Sequence, residues 1–366
     1  MRKIGVLVTG GAGYIGSHVV KALCESEKYY PIIIDDFSTN HLNWYGKTGI
    51  YNQSSYWYEI LDIEIQSIGL YALRRWKEKY NIQACVHLAA FSDVSESMRD
   101  PSKYYKNNIA NSITFLSQLV EVGIDKIVFS SSASVYGTDS SKVPISETVE
   151  TNPRSPYAES KRVVERYLEA LQCNGQCKSI NLRYFNAAGN HPDCQLGEVH
   201  RPETHLIPKL VHNALYTPSE VFEVYGNDYS NKRSFYNKDC TSLGDLKDRS
   251  AIRDYVHVVD LALAHKKALD YLLNDKNPLR NQWNFNIGAG KGFSVLEVLD
   301  TVNLVLNTKI KFEIKSRRKG DIGFLIADIG LAGQELKWKP THRSNLQNII
   351  CDVANFQKSP AYKPFI

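Results

Sequence analysis

The sequence predicts an α/β protein in which a doubly wound parallel sheet is joined to a smaller mixed α/β part. Three observations support this fold class. Apolar, β-branched runs alternate with helical patterns through the first half of the chain, and a glycine-rich turn follows the first run. The alternation weakens after Asn186, and prolines and short irregular segments dominate from His191 to Pro208. Fully apolar strands that alternate with helices are typical of a parallel sheet covered on both faces.

The predicted elements follow one another in a regular order. "KIGVLVT" is the first strand, and a helical pattern runs from Tyr14 to about Glu25. "PIIIDD", "ACVHLAA" and "KIVFSSS" are the next strands, with helical patterns over about 66–80 and 101–122 between them. "RVVERYLEAL" predicts a helix before the strand "KSINLRYFN", and "DYVHVVDLALAHKKALDYLL" returns to a strand followed by a helix.

These patterns predict two parts of the chain. Residues 1–186 and 255–285 form a dinucleotide-binding domain of the Rossmann type, and residues 187–254 and 286–366 form a smaller substrate domain. A polar, charged segment rich in turn formers, about 230–251, is interpreted as an exposed insertion in the second part.

The composition is that of an ordinary globular protein. The 366 residues are 43% hydrophobic and 23% charged, with a formal net charge of +5. This charge fits an acidic small-molecule substrate but is too weak and diffuse to predict nucleic-acid binding. No membrane partner is predicted, and the seven scattered cysteines fit reduced thiols in a cytoplasmic protein. The closest pair, Cys173 and Cys177, lacks a second pair at zinc spacing, so no metal site is predicted.

The glycines of "VTGGAGYIGSH" are a candidate dinucleotide site. Gly10, Gly13 and Gly16 follow a strand directly and open a helix, which is the context that dinucleotide-binding turns require. Glycine lets the backbone approach a pyrophosphate, whose charge is stabilised at the helix N-terminus. Asp35 ends the next strand and would accept hydrogen bonds from ribose hydroxyls. Because its carboxylate repels a 2′-phosphate, NAD is favoured over NADP.

"SPYAESK" places a tyrosine and a lysine four residues apart at the predicted start of a helix. Ser155 can cap this helix and Pro156 suits its first turn, so Tyr157 and Lys161 lie on successive turns of one face. A neighbouring ammonium, the helix N-terminus and a cationic nicotinamide ring would all lower the pKa of the tyrosine from about 10 toward neutrality. An isolated pair of this kind is usually a surface tyrosine over a lysine stem. The glycine turn, and Ser132 at the carboxyl edge of the preceding strand, favour a general base instead.

Together, "TGGAGYIGSH", "SSSASVYG" and "YAESK" resemble the extended short-chain dehydrogenase/reductase family. The resemblance continues nearly end to end through "HLAAFSDVSESM", "LRYFNAAGNHPD", "RPETHLIPKL" and "RRKGD", which are similar to the epimerases that act on UDP-glucose. It implies an NAD-dependent isomerase that interconverts UDP-glucose and UDP-galactose at C4 through a transient 4-keto sugar. It further implies a UDP-sugar as the bound partner, a nucleotide-sugar role for the smaller domain, and a homodimer.

The resemblance also implies a set of site residues. Tyr157, Ser132 and Lys161 would be catalytic. The residues implied to contact NAD are Gly10, Gly13, Tyr14, Ile15, Gly16, Asp35, Asp36, Asp62 and Lys161. The residues implied to contact the UDP-sugar are Asn107, Ser132, Tyr157, Asn186, His205, Leu206, Tyr225, Arg253, Arg318, Asp321 and Leu325.

Three other activities stay open. A nucleotide-sugar 4,6-dehydratase begins with the same oxidation, but it needs carboxyl groups just after the active-site serine, where this sequence has Ala133 and Ser134. An epimerase of a UDP-N-acetylhexosamine or a UDP-pentose is a second alternative, since Leu325 stands where bulkier aromatic residues in the family limit the sugar pocket. The non-enzyme alternative is an NAD-binding regulatory protein, although such proteins usually lose the tyrosine or the lysine.

Overall fold

A computed structural model describes residues 3–38, 59–62, 65, 68–137, 143–200, 202–229, 248–274, 283–318 and 321–362. Of the predicted insertion at about 230–251, residues 230–247 lie outside the described ranges. No helix among the described residues is long and apolar enough to cross a membrane.

Two groups of strands organise the described residues. The first group is β1 Ile4–Thr9, β2 Tyr29–Asp35, β3 Glu59–Asp62, β4 Ile82–His87, β5 Lys126–Ser132, β6 Lys178–Tyr184 and β10 Asn284–Ile287. The second is β7 Asn186–Ala188, β8 Phe222–Tyr225, β9 Ile252–His257, β11 Gly292–Ser294, β12 Phe312–Lys315 and β13 Phe324–Leu325.

The α-helices of the described residues alternate with these strands in the first half of the chain. They are α1 Tyr14–Glu25, α2 Leu70–Tyr80, α3 Val94–Arg99, α4 Pro101–Tyr104, α5 Ser112–Glu121, α6 Pro156–Cys173, α7 Leu206–Tyr216, α8 Val258–Leu272, α9 Val295–Leu306, α10 Gly330–Glu335 and α11 Leu346–Lys358. A π-helical segment, Tyr105–Asn111, joins α4 to α5.

The first group of strands forms a seven-stranded parallel sheet within the described ranges, in the order β10-β6-β5-β4-β1-β2-β3. Successive side chains of β1 enter different cores: Val6 and Val8 pack in a cluster with α1 and α8, whereas Leu7 packs with α2, α5 and α6. Helices therefore cover both faces, and the predicted doubly wound sheet is confirmed. The strand order reverses between β1 and β4, and the crevice beyond the carboxyl ends of such strands is where ligands bind.

The second group forms smaller sheets. β9 pairs with β7, β11 and β13, and β8 pairs with β12. A third core of apolar side chains lies among α7, α9 and α11. The helix α8, which follows β9, packs instead against α1 of the large sheet. The chain thus passes more than once between the two parts, and the predicted domain bounds at 186, 254 and 285 stay a prediction.

Candidate active site

The turn after β1 can be built only from glycine at two positions. Gly10 has a φ of +68°, and a Cβ added there would lie 2.8 Å from the backbone nitrogen of Ala89. A Cβ on Gly16 would lie 2.0 Å from the carbonyl oxygen of Gly10. Gly13 is the N-cap of α1 and has no side chain to accept from the first-turn N–H groups. The turn therefore presents bare backbone at a helix N-terminus, which suits a pyrophosphate.

Acidic residues lie beside this turn at the same edge of the sheet. Asp35 Oδ2 accepts a hydrogen bond from Ala12 N at 2.9 Å, and Asp35 Oδ1 accepts one from Phe37 N at 2.9 Å. Asp36 Oδ1 accepts from Ser38 N at 3.0 Å. The parallel register of β2 and β3 pairs Asp35 directly with Asp62. A carboxylate at this place is an acceptor of the kind that a ribose hydroxyl requires.

Tyr14 and Ile15, which lie between Gly13 and Gly16, have different surroundings. The Tyr14 hydroxyl donates to the Gly189 carbonyl oxygen just after β7. Burial, together with the charges of Glu198 and Glu203, raises the pKa of Tyr14 well above its usual value. Ile15 packs against the apolar core between α1 and the sheet. Tyr14 thus ties the glycine turn to the segment that leaves the large sheet.

The start of α6 has the predicted capping geometry. Ser155 is the N-cap, and its side chain accepts a hydrogen bond from Ala158 N at 3.2 Å. Pro156 is the first helical residue. Tyr157 and Lys161 follow on the buried side of this helix, and both approach the end of β5.

Ser132, the last residue of β5, hydrogen-bonds the Tyr157 side chain. Ser132 Oγ accepts from Ser134 N at 3.2 Å and from Ser134 Oγ at 2.9 Å. Its own hydrogen is therefore left to donate to the phenol oxygen. A hydrogen bond in this direction favours the phenolate.

The sequence-based expectation of a lowered tyrosine pKa is wrong for the residues of the chain alone. Burial raises the pKa of Tyr157 above its usual value, and the hydrogen bond from Ser132 offsets this only in part. Lys161 contributes little because its Nζ donates to the Ser130 carbonyl oxygen at 2.8 Å and lies 5.9 Å from the Tyr157 ring centroid. Burial also lowers the pKa of Lys161 to about 7, against the charge of Glu165, which raises it.

An ion pair that sequence reasoning missed lies directly behind the lysine. Glu165 is fully buried and receives Arg183 Nε at 2.8 Å and Arg183 Nη2 at 2.7 Å. Ser131 Oγ also donates to the Glu165 carboxylate. The sequence shows Glu165 four residues after Lys161. No local pattern predicts that its partner is Arg183, because Arg183 is on β6.

The predicted sugar contacts Asn107 and Asn186 lie on different elements. Asn107 is in the π-helical segment, and its amide donates to Asn108 Oδ1 at 3.1 Å. Asn108 is buried and exchanges two hydrogen bonds of 2.9 Å with the backbone of Phe91. π-Helical turns often occur at functional sites. Asn186 is the first residue of β7 and is half-buried.

Three of the predicted UDP-sugar contacts lie on strands of the smaller sheets: Tyr225 on β8, Arg253 on β9 and Leu325 on β13. The Arg318 guanidinium stands 4.1 Å from the Tyr225 ring centroid. Arg253, on β9, pairs in register with Leu325 on β13 and donates from Nη1 to the Ile252 carbonyl oxygen at 3.0 Å. The structure therefore brings Tyr225 to Arg318, and Arg253 to Leu325.

Tyr229 is a further candidate residue that the sequence patterns do not single out. Its ring lies 3.8 Å below the Arg317 guanidinium, and the charges of Asp321 and Arg253 both act on its hydroxyl. That hydroxyl is buried and has no hydrogen-bond partner among the described residues. A buried, unpaired donor beside the predicted diphosphate residues is a candidate for a ligand contact.

His205 and Leu206 begin the helix α7, with His205 as its N-cap. The His205 imidazole does not point into open space, because its Nδ1 lies 2.8 Å from Glu198 Oε1 and 3.3 Å from Glu203 Oε1. Its predicted role at the nucleotide stays a prediction, and the acidic neighbours were not anticipated.

The parallel sheet with its glycine turn, and the hydrogen-bonded serine and tyrosine with a lysine one turn on, define the class of protein. It is a dinucleotide-dependent enzyme of the short-chain dehydrogenase/reductase type. The sequence matches the NAD dependent epimerase/dehydratase family over residues 6–288, and the chain belongs to this family.

Full-length relatives agree with this assignment. The chain is 38% identical to a UDP-glucose 4-epimerase of Lacticaseibacillus casei, over 97% of both lengths. A crystal structure of a UDP-glucose-4-epimerase from Stenotrophomonas maltophila, with bound NAD and formylated UDP-arabinopyranose, matches with a TM-score of 0.83 and 32% identity over 97% of this chain and 98% of that one. The Bifidobacterium longum enzyme in complex with NAD+ and UDP matches with a TM-score of 0.82 and 32% identity, over 98% and 99%. The family resemblance read from the sequence is confirmed.

Proposed function

We propose that the protein is an NAD-dependent epimerase that interconverts UDP-glucose and UDP-galactose at C4. The observation that carries the proposal is the half-buried Tyr157 side chain, hydrogen-bonded to Ser132 at the carboxyl end of β5, one helical turn before Lys161. Similarity to UDP-glucose 4-epimerases over nearly the whole chain supports the same reaction.

The residues around the glycine turn fit NAD. Gly10, Gly13 and Gly16 would receive the pyrophosphate on bare backbone, while Asp35 would accept from the adenosine ribose. Asp36, Asp62, Tyr14 and Ile15 are the further residues proposed to line this site. When bound, NAD supplies the hydride acceptor that allows C4 of the sugar to become a ketone, and later the donor that reduces it.

The residues of the chain move the proton. Tyr157 takes the proton of the sugar 4-hydroxyl as the C4–H bond breaks, and it returns this proton when the ketone is reduced. Ser132 donates to the phenolate while Tyr157 is deprotonated. Since burial raises the pKa of Tyr157 in the chain alone and Lys161 offsets this only slightly, the positive charge of the bound nicotinamide would supply most of the remaining stabilisation of the phenolate.

The net result is an epimer because nothing is oxidised overall. The 4-keto sugar has to present its other face before reduction, so the sugar must turn while the nucleotide stays fixed. Arg253, Arg318 and Tyr225 are proposed to hold the UDP, with Asp321, His205 and Leu206 beside them. Arginine suits this task because its planar guanidinium binds paired phosphate oxygens and stays charged. Asn107, Asn186 and Leu325 are proposed to border the sugar.

We also propose that the protein is a cytoplasmic homodimer. Val94, Met98 and Tyr105 are apolar side chains between 43% and 46% exposed on the α3 to π-helical region, and pairing of two copies there would cover them. The proposed division into an NAD domain and a nucleotide-sugar domain is supported by the separate sheets on which the two sets of residues lie.

The 4,6-dehydratase alternative lacks its acid and base at the expected place. Ala133 is buried and apolar, and the Ser134 hydroxyl is engaged with Ser132. Neither side chain can remove the C5 proton or protonate the leaving hydroxyl, so no observation favours this reaction.

The proposal is tested with protein purified without added cofactor. We expect bound NAD in the purified protein and conversion of UDP-galactose to UDP-glucose. Tyr157→Phe should keep the NAD and lose at least about 100-fold in kcat, since general acid–base groups contribute about 10²–10⁴-fold. Tyr71→Phe, at a tyrosine that is 79% exposed, is the matched control and should behave as the wild type. If neither bound nor added NAD supports interconversion, the central claim fails.

The sugar pocket has its own test. Leu325 is 8% exposed and packs in one cluster with Ala133 and Phe185. A leucine leaves more room than an aromatic residue, so we expect turnover of UDP-N-acetylglucosamine as well. Absence of turnover at millimolar concentration would rule this extension out while leaving the UDP-glucose reaction intact.

A further inference from the structure

Four side chains of the segment "EVHRPETH" converge beside α1. Glu198, His200, Glu203 and His205 each offer one ligand atom, and these four atoms all lie within 4.8 Å of one another. Among the described residues this is the only group of three or more such side chains at that spacing. The segment is the second half of the connection from β7 to α7. Cysteine spacing alone does not reveal this group of histidines and glutamates.

We propose that these four residues hold a structural zinc ion. Zinc in closed structural sites is tetrahedral, with Zn–N of about 2.0–2.1 Å to histidine and Zn–O of about 2.0–2.2 Å to carboxylate. Neighbouring ligand atoms of such a tetrahedron are about 3.3 Å apart. His200 Nδ1 lies 3.3 Å from Glu198 Oε1 and 3.6 Å from Glu203 Oε2, and His205 Nδ1 lies 2.8 Å and 3.3 Å from Glu198 Oε1 and Glu203 Oε1.

The donor set selects the metal. Calcium and magnesium prefer all-oxygen ligands, whereas imidazole with carboxylate suits zinc. Two glutamates and two neutral imidazoles also balance the charge of a divalent cation. Glu198 is the buried member of the cluster, and without a metal ion the charge of the two carboxylates is compensated only by the two histidines, whose pKa values the carboxylates raise.

A second observation points to a missing ligand. The Nδ1 atom of His200 is fully buried but makes no hydrogen bond with any described residue. It nevertheless faces both carboxylates at ion-pair distance. Buried polar atoms in native proteins normally have a partner. A metal ion at the centre of the four ligand atoms would supply that partner.

The ligands are already oriented by their surroundings. Glu203 Oε1 accepts hydrogen bonds from Thr204 N and His205 N, both at 2.8 Å. Asn190 Oδ1 accepts from Glu198 N at 2.8 Å, and Glu198 itself is 3% exposed. The contacts to Glu203 fix the direction of its carboxylate, as outer contacts do at metal sites, and the Asn190 bond fixes the backbone at Glu198.

The position of the cluster indicates what the ion would do. The His200 ring stands edge-on to Tyr14, with 6.5 Å between the ring centroids, and His205 caps the helix that begins with Leu206. An ion here would fasten the connection between the two parts of the chain next to the glycine turn. With four protein ligands it is a structural site, and it does not depend on the proposed epimerase activity.

The full-length protein, purified without chelator, is first analysed for metal content. We expect about one zinc ion per chain and, after chelation, a fall in the thermal midpoint that zinc chloride restores with saturation near one equivalent. Cobalt(II) in place of zinc should give visible bands of a tetrahedral site without a thiolate charge-transfer band, which separates this cluster from cysteine binding. A thiolate band, or no change in the thermal midpoint with zinc, would overturn the proposal.

Variants locate the site. His200→Gln and Glu203→Gln should each lose stoichiometric zinc and the thermal response to added zinc. His191→Gln is the matched control, because His191 lies in the same connection and pairs with Asp193 rather than with the cluster. It should keep both properties. Zinc binding that survives in both cluster variants would contradict the assignment, and the cobalt spectrum of the wild type decides the question if a variant fails to fold.

Discussion

Replacing Ser132 with alanine removes one hydrogen bond to the Tyr157 phenol and nothing else from that oxygen. Ser132 Oγ already accepts from Ser134 N at 3.2 Å and Ser134 Oγ at 2.9 Å, so its hydrogen is available only to the phenol. The bond lowers the pKa of Tyr157 against the larger effect of burial. A hydrogen bond to a charged group contributes about 1.5–3 kcal/mol. Its loss therefore raises the pKa of Tyr157 further and leaves less phenolate at neutral pH.

The assay is the rate of UDP-galactose conversion from about pH 6 to about pH 9, with kcat and kcat/KM determined separately. For Ser132→Ala we expect the acidic limb of the profile to move to higher pH. At neutral pH the rate should fall by about 10- to 150-fold, which is the rate factor that corresponds to the about 1.5–3 kcal/mol of the lost hydrogen bond. Bound NAD should be unchanged, since Ser132 is not proposed to contact the cofactor.

Two variants separate the hydrogen bond from general disturbance. Ser132→Thr keeps a hydroxyl and should restore most of the rate and the pH profile. Ser134→Ala leaves the Ser132 hydroxyl in place and removes one donor to it, so its effect should be clearly smaller. The reasoning is refuted if Ser132→Ala lowers the rate equally at every pH, because the serine would then position the sugar without acting on the tyrosine pKa.

Three further predictions concern the buried ion pair, the glycine turn and the buried histidines. Glu165→Gln leaves the buried Arg183 guanidinium unpaired and should cost about 3–5 kcal/mol in the free energy of unfolding by urea, whereas Glu121→Gln at an exposed ion pair should cost less than about 1 kcal/mol. Gly16→Ala would place a methyl group 2.0 Å from a backbone oxygen and should abolish copurified NAD, whereas Gly69→Ala, with nothing within 4 Å, should not. Stability should fall as the pH drops from about 6.5 to about 5, because burial holds the pKa of three histidines at about 3 or about 4 in the folded chain, while the unfolded chain protonates them below about 6.5. These histidines are His18, His87 and His265.

The sign and size of the acid effect follow from proton uptake. Near pH 5 the unfolded chain binds three protons on these histidines that the folded chain does not bind. Burial raises the pKa of Asp254 to about 7, so the folded chain binds one proton there that the unfolded chain lacks. The net difference of about two protons lowers stability by about 2.7 kcal/mol for each pH unit. His18→Asn should reduce this slope by about one proton, and a pH-independent urea midpoint would contradict the assignment.

Short sequence patterns predicted most of the helices and strands. The helix predicted from Tyr14 to about Glu25 is Tyr14–Glu25 in the structure, because the glycine turn and the apolar spacing both mark its position. The cap at Ser155 and the four-residue spacing of Tyr157 and Lys161 were equally local. A pattern confined to a few residues survives folding when the tertiary structure agrees with it.

Features set by long-range packing could not be predicted in this way. Arg183 is 18 positions from Glu165, and the charge of the pair says nothing about which residues will meet. The raised pKa of Tyr157 depends on desolvation by the residues packed around it, which a helix-start pattern does not reveal. The Tyr229 hydroxyl is a candidate contact because it is buried and has no hydrogen-bond partner among the described residues, and a sequence pattern does not reveal this.

At the end of β5 and on the inner face of α6, the same residues stabilise the fold and support the proton transfer. The three consecutive serines of the strand contact three helix residues spaced by four: the Ser132 side chain bonds Tyr157, the Ser130 carbonyl receives Lys161, and Ser131 donates to Glu165. The charge of Glu165 raises the pKa of Lys161, which burial alone would lower further below about 7. The buried carboxylate that holds Arg183 therefore also helps to keep the lysine beside the reacting tyrosine charged at neutral pH. Since one residue serves both purposes, a substitution at Glu165 cannot change the stability of this face without changing the electrostatics of the proton transfer.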